Sequence, residues 1–491
     1  MSVFWLGFAL LTYMFLGFAV AWAARRGIGQ SLADFFLANR TLGGLVNALS
    51  YSATTYSAFM MVGLAGLTYQ AGVGALGFEF IYLSGLVLAA FFGPRFWLAA
   101  RERGYISPAE MLGDRYESKT VTILAALASL VFLIPYTSVQ LMGIAYLLQG
   151  LSRGMIPYFA GVVWATFLAL AWARIGGLRS VAWTDALQAL VMLVSSGLLV
   201  FFVVIRGIGG FPELFRRLEQ DYPQWLSVPG PGYFQLPTFL GLSLPWFFFC
   251  ISNPQVSQRL FVPRSLSALR RMLRGFLLFG FVYTLISVTW GLCARVLLAD
   301  LPKADLATPT LLASPFVPGA LAILALLGIV SAAISTMDSV LLTLSSMFAR
   351  DVYGVLRPKS SEARQLAVGK WVIPVISGAA MIFAFFQLDL IAILAVSSSA
   401  GLLVLVPATV GAFFWKRGTA KGAAASILGP GLLVIGLQAS NAKPLGLWPG
   451  VWALLASTLI FVGVSLATTP PKNGPAFVDR INALLAEKSA L

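Results

Sequence analysis

Thirteen apolar segments dominate the chain and constrain its fold more than any other feature. They lie at residues 3–23, 43–70, 74–99, 120–149, 157–174, 183–206, 236–257, 273–299, 312–348, 368–388, 390–415, 419–440 and 447–468. An α-helix needs about 20 apolar residues to cross the hydrocarbon core of a bilayer. Because 59% of the 491 residues are hydrophobic and 10% are charged, a water-soluble fold could not bury this much apolar surface. The sequence predicts an all-α polytopic membrane protein with about 13 transmembrane helices.

The basic residues predict how these helices are oriented. With the N-terminus placed outside, 26 of the 33 Lys and Arg residues lie in or beside the inner connections and the tail, which leaves 7 outside. This bias follows the positive-inside rule. We therefore expect a multi-pass protein of a bacterial cytoplasmic membrane, with an outer N-terminus and a cytoplasmic C-terminus. The net charge of +15 is then a topology signal, and we expect membrane lipids rather than nucleic acid as partners.

Two local features complete this membrane interpretation. The first segment, 3–23, has neither a basic leader nor a small-residue cleavage site, so we expect a retained helix rather than a signal peptide. The inner stretch 259–274 reads "RLFVPRSLSALRRMLR" and is a candidate contact for anionic lipid.

Several classes of chemistry lack the residues that they need. The chain has no histidine, and its two cysteines lie in apolar segments, which argues against catalytic imidazoles, zinc sites and disulfides. The phosphate-binding pattern GxxxxGK[ST] is absent, so this sequence contains no recognisable ATP-binding motif that could drive transport. We expect no enzymatic activity.

The order of the segments suggests an internal repeat. Segments 2–6 and 7–11 form two runs of five, and an odd number of crossings inverts the second run relative to the first. Both runs open with unusually polar stretches, "NALSYSATTYSAF" at 47–59 and "PWFFFCISNPQVSQR" at 245–259. Pro254 disfavours helix at Asn253, so we expect broken helices there. We predict one transporter domain at 1–468, with core repeats at about 43–206 and 236–415, and a short cytoplasmic tail at 469–491.

Residues 331–342, "SAAISTMDSVLL", place hydroxyls and one carboxylate inside an apolar segment. On a helix, Ser335, Thr336 and Ser339 share one stripe with Asp338 at its edge. Hydroxyls and free main-chain carbonyls form a hard-oxygen environment that suits a small alkali cation. The alternative is that the hydroxyls only join helices, but that alternative does not explain Asp338.

Three motifs occurring together resemble the sodium/solute symporter family, which includes proline, pantothenate and monocarboxylate permeases. They are "AAISTMDSVLLTLSSMFARDVY" at 332–353, "GGLRSVAWTDALQ" at 176–188, and the "QR" pair Gln258–Arg259. The resemblance covers roughly residues 1–440. It implies a leucine-transporter-type fold with one extra N-terminal and two C-terminal helices, and sodium-coupled symport of a small organic solute by alternating access.

The resemblance also implies where cations bind. It places sodium, the coupling ion, at the main-chain carbonyls of Ala53, Tyr56 and Ala332 and at the hydroxyls of Ser335 and Thr336.

A second cation site would combine Asp185, Asp338 and Ser339, although the carboxylate at 338 departs from the serine found in some relatives. Asp338 could strengthen that site, take a proton, or pair with a basic side chain. Asp185 could alternatively cap the N-terminus of its helix.

The resemblance implies a solute site beside the sodium. Its candidate residues are Thr55, Ser57, Glu79, Tyr136, Gln140, Trp246, Asn253 and Gln255, and the run "SSS" at 397–399 is a further candidate. Glu79 could instead be an interfacial residue that reaches the headgroups, and Tyr136 and Gln140 could make ordinary contacts around a proline kink. None of these side chains is cationic. We expect an organic acid such as a monocarboxylate first and an amino acid such as proline second.

Other functions remain open at this point. A proton-coupled symporter of the same fold could use Asp338 or Glu79 as its carrier. A transporter-like sensor is a further alternative, although we expect no signalling module after residue 491. We expect the protein to function as a monomer.

Overall fold

The computed structural model describes residues 3–24, 31–298, 300–387 and 391–489, and within these ranges the chain is helical and contains no strand. The all-α prediction is confirmed for this part of the chain. The first two residues of the predicted transporter domain, and residues 490–491 of the predicted tail, lie outside the described residues. So do positions 388–390, where two predicted segments meet.

Thirteen helices form the frame and are numbered here in chain order. They are α1 (Val3–Ala24), α2 (Gly44–Thr55), α3 (Gly74–Arg103), α4 (Lys119–Leu151), α5 (Tyr158–Phe202), α6 (Leu236–Phe247), α7 (Leu266–Leu297), α8 (Gly319–Met347), α9 (Glu362–Phe385), α10 (Ile391–Gly401), α11 (Ala420–Ala439), α12 (Pro449–Leu466) and α13 (Gly474–Ser489).

Shorter helical pieces connect or extend these helices. The α-helical pieces are Leu32–Leu37, Ala65–Ala71, Pro108–Arg115, Phe211–Asp221, Phe249–Ser252, Pro254–Ser257, Ala307–Leu312, Gly354–Leu356 and Val406–Phe414. Three π-helical stretches span Phe59–Leu64, Val203–Ile208 and Phe348–Tyr353. The 3₁₀ pieces are Ala38–Arg40, Pro223–Leu226, Gln258–Phe261, Ala304–Leu306, Leu402–Leu405 and Pro444–Gly446.

Ten helices in the described ranges are long and apolar enough to cross a membrane. They coincide with ten of the thirteen predicted segments. The other three segments, at 43–70, 157–174 and 236–257, contain the shorter apolar helices Phe59–Ala71, Tyr158–Ala173 and Leu236–Phe247. Two of these three segments are the ones that the sequence predicts to be broken.

Both predicted breaks are confirmed. The helix α2 ends at Thr55, and Tyr56 adopts an extended conformation with φ −91° and ψ 98° before helix resumes. In the second run, Asn253 adopts φ −91° and ψ 110° between the helices Phe249–Ser252 and Pro254–Ser257. Pro254 explains the second break, because its ring disfavours helical geometry at the preceding residue.

The helices α5 and α8 pack against each other along the centre of the molecule, and both contact α2. Within α5, Gly177 has a φ of +55°, in the left-handed region. A Cβ at Gly177 would lie 2.4 Å from the carbonyl oxygen of Phe35, so both the backbone conformation and the close packing require glycine. This packing brings the polar residues of α8 opposite the break in α2.

Candidate functional site

The hydroxyls of α8 face main-chain carbonyls of α2 just before its break. Ser335 Oγ donates to the carbonyl oxygens of Ala53 at 2.9 Å and of Ala332 at 3.1 Å. Thr336 Oγ1 lies 3.2 Å from the carbonyl oxygen of Ala53 and 3.0 Å from that of Thr54. Oxygens from two helices therefore converge on one small volume, which is the donor chemistry that a sodium ion prefers.

Hydrogen bonds thus link four of the five residues predicted for sodium, namely Ala53, Ala332, Ser335 and Thr336. The fifth, Tyr56, is the first non-helical residue after α2, so its carbonyl does not continue the helix. Thr54 was missed by the sequence interpretation. Its hydroxyl lies 2.8 Å from Ser339 Oγ, and its position between Ala53 and Tyr56 was the available signal.

A buried arginine occupies the region predicted for a second cation. Arg259 Nη2 lies 3.0 Å from Asp185 Oδ2 and also donates to Ser339 Oγ. Its Nη1 donates to Ser50 Oγ at 2.5 Å, and Ser50 in turn donates to Asp185 at 2.8 Å. Asp185 and Ser339 are therefore bound to a positive charge that belongs to the protein itself. The sequence marked Arg259 as part of a motif but assigned it no role, and it missed Ser50.

The capping alternative for Asp185 is wrong. The residue lies well inside α5, and its carboxylate bonds to Ser50 and Arg259 on other elements instead of to the amides of its own helix. A fully buried carboxylate needs such charged or polar partners to remain ionised.

Asp338 differs from Asp185 in its surroundings. Its side chain is fully buried, and neither carboxylate oxygen has a hydrogen-bond partner among the described residues. Arg259 and Asp185 are its charged neighbours, but the arginine bonds to Asp185. Direct pairing of Asp338 with Arg259, one of the three alternatives, is therefore not observed. An unpartnered carboxylate at this depth must be neutralised by a proton or a cation.

A small cavity lies beside the break in α2. Five of the predicted solute residues line it: Thr55, Ser57, Glu79, Tyr136 and Trp246. Its volume is about 10 Å³, which is room for roughly one water molecule. The walls must therefore move before a solute of several heavy atoms can enter.

Aromatic rings form most of the remaining wall. The Trp246 ring centroid lies 5.0 Å from that of Phe249, 5.5 Å from Phe59 and 6.1 Å from Tyr82. The sequence interpretation missed Phe249, Phe59, Tyr82 and also Met60 as lining residues. Apolar residues in a membrane segment carry no signal that separates a cavity wall from ordinary packing.

Three predicted solute residues do not line the cavity. Gln140 Oε1 accepts from the amide of Ala58 at 3.2 Å, which supports the chain just after the first break. Asn253 is engaged with its neighbour Ser252 at 3.0 Å and with Ser399 at 3.4 Å. The side-chain amide of Gln255 is buried and has no hydrogen-bond partner within the described ranges.

Glu79 is the one acidic residue that lines this cavity, and no lysine or arginine lines it. Its side chain is 1% exposed, and Oε2 has no hydrogen-bond partner among the described residues. The alternative of an interfacial glutamate reaching the headgroups is therefore wrong. The cavity combines one carboxylate with several aromatic faces, which together attract cationic groups.

Comparison with known proteins reveals extensive similarities. Residues 35–429 match the model of the sodium:solute symporter family. The chain is 29% identical over 480 residues to the sodium/pantothenate symporter of Escherichia coli, covering 94% of this chain and 97% of that protein. It is 27% identical over 428 residues to the sodium/proline symporter of Haemophilus influenzae, covering 81% of each.

A solved structure shares the fold. A Na⁺-coupled sialic acid symporter, determined in a substrate-bound outward-open state, superposes with a TM-score of 0.80 at 20% identity, over 95% of this chain and 98% of that one. At this identity the likeness shows the fold alone. The expected leucine-transporter-type architecture is confirmed.

Proposed function

Because the chain belongs to the sodium:solute symporter family, we propose that it imports a small organic solute together with sodium by alternating access. One observation carries this proposal. The hydroxyls of Ser335 and Thr336 converge with the Ala53 carbonyl at the break of α2, 2.9 Å and 3.2 Å from its oxygen. Five oxygens, from Ala53, Tyr56, Ala332, Ser335 and Thr336, would hold the ion.

The break in α2 supports coupling between the ion and the solute. The carbonyls proposed for sodium belong to Ala53 and Tyr56, while Thr55 and Ser57 line the cavity. A sodium ion at these carbonyls would hold the non-helical turn in one conformation. The same turn would then present its other side chains to the solute, and each ligand would favour binding of the other.

The second candidate cation site, at Asp185, Asp338 and Ser339, is proposed to differ from the sodium site at the break of α2. Arg259 supplies the positive charge at Asp185 and Ser339, so the oxygens that a second sodium would need are already occupied. A sodium ion requires several oxygen ligands, whereas a proton requires one carboxylate oxygen. We therefore propose that Asp338 takes a proton in this conformation. A second sodium at Asp185, Asp338 and Ser339 would require Arg259 to leave.

The cavity favours a solute with a positively charged nitrogen. Glu79 has no basic partner in the cavity wall, so an organic acid beside it would either meet a second negative charge or require Glu79 to be protonated. An ammonium group would instead pair with Glu79 and lie against the rings of Trp246, Tyr82 and Phe249. Of the two solute classes that the sequence leaves open, we therefore propose an amino acid or a related amine.

We also propose that the protein lies in a bacterial cytoplasmic membrane with its N-terminus outside and its C-terminus in the cytoplasm. The distribution of Lys and Arg supports this orientation. The similar symporters of Escherichia coli and Haemophilus influenzae support a bacterial membrane. A monomer contains both proposed sites, so we propose a functional monomer.

The test is a thermal-shift screen of the purified protein against amino acids, amines and organic acids, in sodium and in potassium, followed by uptake into proteoliposomes. We expect stabilisation by an amine-bearing solute that is larger in sodium, and uptake driven by an inward sodium gradient. Uptake that is equal in potassium and is driven by a pH gradient alone would instead establish a proton-coupled symporter.

A further inference from the structure

A groove opens on the molecular surface between α3, α7 and the tail helix α13. It has a volume of about 310 Å³. Its walls are mostly apolar, with Ala90 and Pro94 on α3, Leu269 and Leu273 on α7, and Leu485 on α13. No residue that lines the groove is acidic. It does not share any residue with the cavity that contains Glu79.

Three cations surround this apolar groove. Arg270 and Arg274 lie one turn apart on α7, and Lys488 faces them from α13. Among the described residues, none of the three makes a salt bridge or a side-chain hydrogen bond. Their positive charges therefore remain available to a ligand from outside the chain.

The tail helix is held in place by specific contacts. Arg480 pairs with Glu102 at 2.9 Å, and Asp479 pairs with Lys416 at 2.6 Å. Phe477 is also buried. These contacts position Lys488 across the groove from the two arginines.

The groove lies where a membrane surface must be. The helix α7 has 32 residues, so it is about 48 Å long and exceeds the roughly 30 Å of the hydrocarbon core. Arg270 is near the start of α7 and falls in the headgroup layer. Arg274 lies one turn deeper and can extend its side chain back toward that layer. The apolar wall continues along α7 to Leu277, toward the membrane interior.

We propose that this groove binds one anionic phospholipid, with the phosphate between Arg270, Arg274 and Lys488. An acyl chain would lie against Leu273 and Leu277. A phospholipid needs both features of this groove: cations that bind its headgroup and a continuous apolar wall that contacts its acyl chain. In a bilayer, a lipid is the molecule that reaches such a surface. A net-negative lipid would compensate three charges that have no acidic partner in the described part of the chain.

The test measures lipid retention by the full-length protein. The protein is purified in detergent and titrated with phosphatidylglycerol or phosphatidylcholine of the same acyl chains, and bound lipid is counted by native mass spectrometry. We expect at least tenfold tighter retention of phosphatidylglycerol. The variant Arg270→Gln/Arg274→Gln/Lys488→Gln should lose this preference. The matched variant Arg357→Gln/Arg364→Gln/Lys421→Gln removes the same charge from other exposed positions and should keep this preference.

Two further measurements distinguish the contribution of the lipid headgroup from that of its acyl chains. Leu277→Trp fills the groove while preserving all three cations, and it should weaken phosphatidylglycerol retention. Glycerol 3-phosphate, which has the anionic group without acyl chains, should not compete at equal concentration. The proposal is overturned if the two triple variants lose the preference equally, if the two lipids bind alike, or if glycerol 3-phosphate displaces the lipid.

Discussion

The two broken helices have nearly the same backbone geometry but opposite electrostatic character. Tyr56 and Asn253 share φ −91°, with ψ values of 98° and 110°. At the first break, carbonyl oxygens face hydroxyls of α8 and together form an oxygen-lined site. At the second break, Asn253 forms hydrogen bonds with Ser252 and Ser399. Arg259, six residues further along, forms a salt bridge with Asp185. The first break carries the oxygens proposed to bind sodium, and the second positions a cation that belongs to the protein, Arg259.

The helices opposite the two breaks show the same difference. α4 and α8 take the third place in the two proposed repeats, and both carry adjacent hydroxyls. Ser335 and Thr336 of α8 reach across to carbonyls of α2. Thr137 and Ser138 of α4 bond to carbonyls of their own helix, Leu133 at 2.8 Å and Pro135 at 2.6 Å. Similar residue types therefore form the proposed ion site in one half only, because only one pair of hydroxyls faces an opened backbone.

The largest expected effect comes from removing the arginine at the second break. Arg259→Gln leaves the Asp185 carboxylate buried without its charge partner, which should cost about 3 to 5 kcal/mol of stability. Thermal unfolding in detergent measures the loss. Adding Asp185→Asn should restore most of it, whereas Arg364→Gln at an exposed position should change little. An Arg259→Gln variant as stable as the parent would show that the ion pair is not structurally required.

A somewhat smaller effect is expected for solute binding beside the first break. Glu79→Gln removes the charge proposed to pair with an ammonium group, and should weaken solute affinity tenfold to a hundredfold, or about 1.4 to 2.8 kcal/mol. The affinity for sodium without solute should stay within twofold of the parent, which is the internal control. If Glu79→Gln has the same relative affinities for an organic acid and an amine as the parent, the proposed solute class is incorrect.

The comparison of α8 with α4 predicts a matched pair of results for sodium. Ser335→Ala or Thr336→Ala should raise the sodium concentration for half-maximal uptake about tenfold, which corresponds to about 1.4 kcal/mol. Thr137→Ala and Ser138→Ala remove the same hydroxyl groups from α4. They should leave the sodium concentration for half-maximal uptake unchanged. Sodium dependence that is equal in all four folded variants would remove the proposed ion site.

The smallest expected effect concerns Asp338 and is a change in pH dependence. If its carboxyl must be neutral, uptake by the parent declines as rising pH removes the proton. Asp338→Asn is neutral at every pH, so its uptake should be flat between about pH 5 and 8, with the sodium Hill coefficient unchanged. A lower Hill coefficient in the Asn variant would instead support a second sodium at Asp185, Asp338 and Ser339.

Much of the proposed ion site could be predicted from the sequence, because its residues are neighbours along the chain. Ser335 and Thr336 are adjacent on one helix, and the polar stretch 47–59 marks a segment that cannot remain a regular apolar helix. Pro254 likewise predicts the second break by itself, because its ring disfavours helical geometry at the preceding residue. The solute cavity could be predicted only in part, since Gln140, Asn253 and Gln255 are polar residues of the expected segments whose side chains lie away from it.

The sequence by itself determined that this is a membrane protein of apolar helices with two broken segments, because hydropathy, proline and charge distribution act along the chain. Only the tertiary structure decided which charges meet. Arg259, Asp185 and Ser50 are far apart in sequence, and the packing of three helical elements makes them partners. The same packing leaves Asp338 without a hydrogen-bond partner among the described residues. The same packing collects aromatic rings around Glu79. Contacts between distant residues depend on how helices cross and rotate, which the periodicity of one helix does not specify.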